Sequence, residues 1–448
     1  MKIEFGTDGV RGVYESPEVG YYIGRAAGEV LGLSHFAMVQ DTRPFNPELA
    51  DAVKQGLAES GAEVLDLGIL PTPAVAITAS ALTRERKIAY GAISLSASHN
   101  PASDYGIKVF GVDGTKLNDE TTRHLEQEAN EKRPVSSLHR VALDETQEEG
   151  EFYRGQYIDY LISTRWPVLD KDFLLGTRII IDAANGAAHW SAQTALRELG
   201  AEVSVINADP NGEINKNSGA IHPEVITSIS EQVRSIGFAF DGDADRLISS
   251  TPQGRELDGD HSIHIVMMAM DLVGKLSTRQ FVSTKYSNFG LRHSLSRQGI
   301  TAIEVTNGDR EVLQVMGSRI PVGGERSGHT LFNDVASRAN RIMSGDGTVT
   351  AIQLLSAVAN TGKSLDELAV PQLFPHLEQK VKDLKSNVFE SNEYLAAKSE
   401  VDSAQGDEGD NLGRLSGTEK GVGRVLVRDT DSDRAMWAMD TLKAAARS

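Results

Sequence analysis

Gly237-Phe238-Ala239-Phe240-Asp241-Gly242-Asp243-Ala244-Asp245-Arg246 is an apolar run that ends in an acidic, glycine-containing turn. Such a run reads as a buried strand opening into a loop. Three carboxylates at alternate positions of the loop can converge on one point, and hard cations such as Mg²⁺ require an oxygen ligand set of that kind. Mg²⁺ leaves part of its coordination sphere to water or substrate phosphate, so phosphoryl chemistry is the leading expectation. An EF-hand loop also begins Asp-x-Asp-x-Asp, but it needs Gly at the sixth place and Glu at the twelfth. Arg246 and Pro252 stand there. On this motif alone a solvated acidic turn stays open.

Outward from this loop, strand-like and helix-like patterns alternate. Residues 178–182 read as a buried strand, 192–199 as a helix and 201–206 as the next strand. Nearer the start, helical spacing over 47–60 precedes strand-like 62–67 and 93–95. The polar, acidic stretch 134–150 reads as the end of a first unit, with a helix expected over 151–165. Similar alternation runs from 263 to 358. Residues 403–413, rich in Gly and Asp, read as a flexible loop, and 432–446 as a closing helix. This is βαβ logic, with largely parallel sheets covered by helices.

The chain has 448 residues, more than one hydrophobic core usually supports, so several domains are expected. Its apolar fraction of 40% and charged fraction of 24% are ordinary for a folded soluble protein. A net charge of −18 argues against nucleic-acid or anionic-membrane partners, though a local basic pocket could still take an anionic substrate. The absence of Cys excludes disulfides, thiolate metal sites and a Cys nucleophile. Met1-Lys2-Ile3-Glu4-Phe5 does not read as a signal peptide, and no apolar run is long enough to span a bilayer. A cytoplasmic enzyme is expected.

Four further loops carry chemistry. Ser96-Ala97-Ser98-His99-Asn100-Pro101 follows a short strand-like run. Ser98 is a candidate nucleophile. No Gly-x-Ser-x-Gly elbow surrounds it, and pairing with the adjacent His99 is not expected; a phosphate carrier needs a metal and cations instead. Lys108 follows in Tyr105-Gly106-Ile107-Lys108, and a desolvated Lys beside other cations can act as acid or base. Phe5-Gly6-Thr7-Asp8-Gly9-Val10-Arg11-Gly12 lacks both P-loop and dinucleotide signatures, but Arg11 offers a planar fork for phosphate. Gly323-Gly324-Glu325-Arg326-Ser327-Gly328-His329 supplies carboxylate, hydroxyl and imidazole, which suit a sugar edge. Arg414-Leu415-Ser416-Gly417-Thr418-Glu419-Lys420 has the parts of a phosphate cradle. Arg428-Asp429-Thr430-Asp431-Ser432 is set aside as a clamp, because its Asp residues would repel phosphate. Taken singly, each loop is also consistent with an ordinary polar turn.

As an ordered set these five loops resemble the α-D-phosphohexomutase superfamily, and within it the bacterial phosphoglucosamine mutases. Asp182-Ala183-Ala184-Asn185-Gly186-Ala187 and Asp209-Pro210-Asn211-Gly212 support the resemblance, which runs from Phe5 to the C-terminal helix. It implies an α/β fold of three related α/β domains with mixed sheets plus a smaller C-terminal α+β domain, around a central cleft. The divisions expected are 1–150 with the phosphoserine loop, 151–256 with the metal loop, 257–370 with the sugar loop and 371–448 with the phosphate clamp. It also implies phosphoserine at Ser98 and one Mg²⁺ held by Asp241, Asp243, Asp245 and a phosphoserine oxygen. Arg11 and Arg246 would flank the transferring phosphoryl group, Lys108 would serve as acid/base, and His99 and His329 would lie close by. Glu325 and Ser327 would hold sugar hydroxyls, while Arg414, Ser416, Gly417, Thr418 and Arg424 would clamp the distal phosphate.

The implied reaction interconverts glucosamine 6-phosphate and glucosamine 1-phosphate through a hexose bisphosphate intermediate or activator, supplying UDP-N-acetylglucosamine synthesis. The implied partner is a small sugar phosphate, with neither nucleic acid nor membrane; a homodimer is compatible with the resemblance. Arg326 stands where the glucosamine branch usually has Gln, so mannose or glucose phosphate stays open as the substrate. A metal-dependent phosphatase and a nonenzymatic sugar-phosphate binding protein are the readings from other classes.

Overall fold

The computed structural model describes residues 2–6, 9–14, 16–112, 114–131, 147–306, 308–333, 344–415 and 421–447. Four sheets follow one another along the chain. The first contains β1 (Val10–Gly12), β2 (His35–Gln40), β3 (Glu63–Ile69), β4 (Tyr90–Leu95) and β5 (Tyr105–Phe110), in the order β1-β5-β4-β2-β3. The second contains β6 (Arg178–Asp182), β7 (Glu202–Ile206), β8 (Ile236–Phe240), β9 (Leu247–Ser250) and β10 (Glu256–Leu257), in the order β10-β9-β8-β6-β7. The third, β12-β11-β13-β14, uses β11 (Gln280–Thr284), β12 (Thr301–Val305), β13 (Val322–Gly324) and β14 (Thr330–Phe332). The last is wholly antiparallel: β17 (Gly423–Asp429) lies between β15 (His376–Val381) and β16 (Gly409–Leu415).

Helices cover these sheets. The first carries α1 (Glu18–Leu31), α2 (Asn46–Glu59), α3 (Thr72–Arg86) and α4 (Asp119–Asn130), and α5 (Gln147–Ser163) leads on to α6 (Ala188–Glu198) and α7 (Pro223–Val233) of the second. The third has α8 (Gly259–Leu272), α9 (Phe289–Ser296), α10 (Asp309–Met316), α11 (Gly347–Thr361) and α12 (Leu365–Leu368); the last has α13 (Asn392–Gln405) and α14 (Ser432–Arg447). Side chains alternate across a strand, so β2 serves both faces of its sheet. Phe36 and Met38 pack with Ile23, Val53 and Leu125 of α1, α2 and α4, whereas Ala37 and Val39 join Val75 and Leu82 of α3 in the larger core. That larger core continues without a break through Phe238 and Phe281 of the next two sheets and Leu354 of α11. The C-terminal sheet has a core of its own, built from Val381, Tyr394, Val427 and Leu442.

The first three sheets share one device. A strand paired in parallel with its neighbour on one side ends in a loop and returns antiparallel on the other: β4 into β5, β8 into β9, β13 into β14. The loops of Ser98, of the three aspartates and of Glu325 occupy these three equivalent turns. They lie at the carboxyl ends of parallel strands, where open α/β sheets bind ligands.

One expectation fails. The stretch 403–413 is not a flexible loop: α13 continues to Gln405, and β16 pairs with β17 along its whole length. Gly406 ends α13 at a positive φ of 53°, and Gly409 and Gly413 allow close packing in the strand. A Cβ on Gly413 would lie 2.2 Å from the Tyr394 hydroxyl and 2.5 Å from the Phe389 ring. Asn411 takes its support from polar neighbours, donating to Asp402 Oδ1 at 2.7 Å and Gln405 Oε1 at 3.0 Å. Helix α5 also begins at Gln147 and α6 at Ala188, each earlier than the apolar spacing indicates. Most of the stretch 134–150 lies outside the described residues.

Candidate active site

The Ser98 loop is held close to its own strand. Gly106 on β5 faces it, and a Cβ there would lie 2.2 Å from the Ser96 carbonyl oxygen, so only glycine lets the strands close. Ser98 has φ of 54°, the left-handed region that a non-glycine residue seldom adopts. Its hydroxyl donates to Asp241 Oδ2 at 2.8 Å. One carboxylate oxygen from each of Asp241, Asp243 and Asp245 lies within 4.8 Å of the others, and all three residues are buried. The sequence spacing therefore becomes a real convergence, and the serine joins it from 143 residues away.

Lys108, on β5, reaches the same cluster. Its ammonium donates to Asp243 Oδ2 at 2.8 Å and Asp245 Oδ2 at 3.4 Å. The neighbours of this ammonium are thus carboxylates, where the sequence leads to an expectation of other cations. Thr72 also ties the loop down, its hydroxyl donating to Asp243 Oδ2 at 2.6 Å and its backbone N–H to the Asp243 carbonyl at 3.0 Å. Burial and the two neighbouring carboxylates hold Asp241 well above the usual carboxylate range. Asp245 is buried too, yet Lys108 and His329 hold it well below that range. Asp243 Oδ1 and Asp245 Oδ1 are buried with no hydrogen-bond partner among the described residues. Those open lone pairs, in an all-oxygen donor set, fit a Mg²⁺ ion.

Contrary to the expectation for adjacent residues, His99 Nδ1 comes within 3.4 Å of the Ser98 hydroxyl. No hydrolase pair results. The hydroxyl proton points to Asp241, and the His99 nitrogen faces Arg246 Nη1 at 3.1 Å. Burial, with Arg246 and Arg11 nearby, pushes His99 down to about 4, so its ring is neutral. Arg246 Nε lies 3.7 Å from Asp245 and makes no hydrogen bond among the described residues.

The cluster opens onto two joined hollows. One, of about 700 Å³, is lined by His99, Arg246, Glu325, Ser327, Arg414 and Arg424, among others. The other, of about 880 Å³, is lined by Arg11, Lys116, Asp245, Arg310 and His329, and shares Arg246 and Glu325 with the first. Arg414 and Arg424 stand opposite each other on β16 and β17. Like charges so placed repel. Tyr286 under Arg414 at 4.9 Å and Glu378 bonded to Arg424 at 2.7 Å offset this in part, and an anion would complete the offset. Ser416, Gly417 and Thr418 lie outside the described residues, as do Thr7 and Asp8 of the N-terminal loop.

Three stretches of the chain match a single family: residues 2–135, 155–254 and 258–374 match α/β/α domains I, II and III of phosphoglucomutase/phosphomannomutase. The chain is 37% identical to a phosphoglucosamine mutase of Alkaliphilus oremlandii, with 98% of each chain covered. It is 39% identical to one from Thermoanaerobacter, covering 96% of this chain and 95% of that one. The chain belongs to the phosphoglucomutase/phosphomannomutase family of α-D-phosphohexomutases. Its fold is also that of a phosphoglucomutase/phosphomannomutase family protein from Burkholderia thailandensis, at a TM-score of 0.76 and 23% identity over 98% of this chain and 97% of that one.

In this phosphohexomutase, Ser98, His99, Lys108, the three aspartates, Arg246 and His329 meet at one place, with Arg11 in the adjoining hollow. His329 belongs with the metal loop rather than with the sugar loop that carries it. Although burial opposes its charge, Asp245 at 3.6 Å and Asp309 at 3.3 Å hold it up at about 10, and the Gly345 N–H faces the ring at Nε2, 3.1 Å away. Glu325 accepts from the Gly308 N–H at 3.1 Å, and Ser327 is exposed beside it. Arg326 donates through Nε to Asp258 Oδ2 at 2.9 Å, so its charge is paired at the cleft wall. Sequence reasoning missed Asp309, which also meets Lys116 at 2.7 Å, and Arg43 and Asn215, whose partners are backbone carbonyls of the Ser98 loop. No local pattern marks them. No helix among the described residues is long and apolar enough to cross a membrane.

Proposed function

We propose that this chain interconverts glucosamine 6-phosphate and glucosamine 1-phosphate by carrying a phosphoryl group on Ser98. The observation that carries the reading is the Ser98 hydroxyl placed 2.8 Å from a carboxylate of the buried three-aspartate cluster. The sugar is assigned from the near-full-length relatives named phosphoglucosamine mutase.

Phosphoserine gives its phosphoryl group to the free hydroxyl end of the bound sugar phosphate. The P–O bond to Ser98 breaks, a P–O bond to the sugar forms, the sugar hydroxyl's proton passes to the Ser98 oxygen, and a hexose bisphosphate results. The bisphosphate turns around, and the Ser98 hydroxyl takes the phosphoryl group from the other end, whose sugar oxygen regains a proton. Asp241, Asp243, Asp245 and a phosphoserine oxygen would hold Mg²⁺, which offsets charge on the phosphoryl oxygens when bound. Arg246 offers its unbonded Nε to those oxygens, with Arg11 in the adjoining hollow. Lys108 holds its proton at Nζ beside Asp243 and is the group placed to exchange it with the reacting hydroxyls. The neutral His99 and His329, raised by its two carboxylate neighbours, flank this point. Glu325 and Ser327 would bind the sugar edge, and Arg414 and Arg424, with Ser416, Gly417 and Thr418, the distal phosphate.

Intact-mass measurement of the purified protein tests the carrier: one phosphoryl group is expected, absent from Ser98→Ala, which should also lose turnover while still binding sugar phosphate. Coupled assays on glucosamine, glucose and mannose 6-phosphates test the sugar. A large preference for mannose 6-phosphate would overturn that assignment, net release of inorganic phosphate would mean a phosphatase, and binding without turnover a binding protein.

A further inference from the structure

Ser98 keeps an unfavourable backbone conformation and is held on both sides of it: its N–H donates to Ser96 Oγ at 2.8 Å, and its carbonyl oxygen accepts from two side chains of other elements. Arg43 Nη2 donates to Ser98 O and to Asn100 O, both at 2.9 Å. Asn215 Nδ2 donates to the same two oxygens, at 2.8 and 3.0 Å. The rest of the Arg43 guanidinium is also committed: Nη1 donates to the Pro101 and Asp104 carbonyls, and Nε to Asp41 Oδ2 at 3.0 Å. One buried guanidinium thus bonds four carbonyls of a single loop, with Asp41 neutralising its charge. Core filling alone does not require that geometry. Asn215 comes from the unit of the second sheet. It is itself left-handed at φ 61°, a region Asn tolerates, and its N–H donates to the Ala184 carbonyl at 2.9 Å.

We propose that Arg43 and Asn215 are positioning residues that clasp the Ser98 and Asn100 carbonyls and hold Ser98 in the left-handed conformation that turns its hydroxyl onto Asp241. Releasing the carbonyl lets the peptide rotate to the favoured negative φ and swings the hydroxyl off the aspartate cluster. Asn215 reaches in from the unit that bears the aspartates, so the clasp also fixes the serine loop relative to the metal loop. Its kinetic consequence rests on Ser98 being the phosphoryl carrier; its structural consequence does not.

Asn215→Asp and Asn215→Gly test this, because both residues tolerate positive φ and neither offers the amide donor. Asn215→Asp turns an acceptor toward two carbonyls, and its kcat should fall by about 100-fold, with about tenfold for Asn215→Gly. KM for the sugar phosphate should stay near wild type in both, and so should Tm in Asn215→Gly, where Arg43 still serves the two carbonyls; the buried carboxylate of Asn215→Asp should lower Tm as well. Arg43→Lys keeps the charge but not the fork, and should lower kcat in the same way. Crystal structures of the Asn215 variants should show Ser98 at negative φ with its bond to Asp241 broken. Unchanged kcat, a fall in kcat of Asn215→Gly matched by a fall in its Tm, or Ser98 still left-handed on Asp241 in the variant crystals would each overturn the clasp. A wild-type protein that neither takes up a phosphoryl group nor turns over sugar phosphate would defeat the functional reading, and the Ser98 backbone in the variant crystals would still decide the clasp.

Discussion

At the scale of single residues, Lys108 separates two effects that usually move together. Its ammonium pairs with the oxygens of Asp243 and Asp245, so it competes with any cation for the same carboxylates. Lys108→Met should therefore bind Mg²⁺ several-fold more tightly, read by calorimetric titration, while kcat falls by about 10²–10⁴-fold from loss of the proton-transfer group. Weaker Mg²⁺ binding in the variant would show that Lys108 builds the metal site instead of competing for it. The aspartates, Ser98 and the sugar loop were legible because short motifs concentrate their chemistry. Arg43, Asn215 and Asp309 were not, because each is a lone polar residue whose role appears only when folding brings it to a partner, such as the Asn215–Ser98 contact across 117 positions. Lys108 was found, but its setting was not: only the fold reveals that its neighbours are acids.

At the scale of elements, apolar period and length made most strands and helices legible, including Arg178–Asp182, Ile236–Phe240 and the closing helix. The failure at 403–413 has a specific physical source. Gly and Asp signal turns when local preference decides, but β16 is set by its pairing with β17 and by contact with the aromatic side chains Phe389 and Tyr394. Gly413→Ala distinguishes these accounts. In a loop the substitution would be neutral or mildly stabilising. In the packed strand the new methyl meets the Tyr394 hydroxyl and the Phe389 ring, and urea unfolding should show a loss of about 1–3 kcal/mol. The equivalent turns after β4, β8 and β13 were invisible in the sequence, since strand pairing, unlike loop chemistry, leaves no local mark.

At the scale of the whole molecule, stability depends on groups that are buried neutral and on how the last unit is attached. His264 donates from Nδ1 to the Leu368 carbonyl at 2.7 Å and meets Ser294 at 2.8 Å; burial pushes it down to about 4 from its ordinary 6.5. The unfolded chain therefore takes up the proton first. This stabilisation is fully present above pH 6.5 and lost as pH falls toward 4, by about 2 kcal/mol at pH 5. Urea midpoints at pH 7.5 and 5 should differ less in His264→Gln than in wild type; an equal difference would remove His264 from the account. The C-terminal unit has its own core, so its attachment relies on polar contacts. Buried Arg428 bonds Asp410 within that unit and reaches Ser287 O at 2.8 Å and Glu304 Oε1 at 3.0 Å on the third unit. Arg428→Met removes the bonds to the half-exposed Asp410 and to the Ser287 carbonyl and leaves Glu304 with Arg292 alone, a loss of about 1–3 kcal/mol that should fall on the docking of 376–447. Hydrogen exchange should then rise along β15 and β17, and KM for sugar phosphate should rise because Arg414 and Arg424 are carried on that sheet. Mg²⁺ affinity should not change, since the three aspartates belong to the second sheet's unit. A uniform loss of protection across all four sheets, or weakened Mg²⁺ binding, would mean that the last unit is part of one cooperative body rather than a separately docked module.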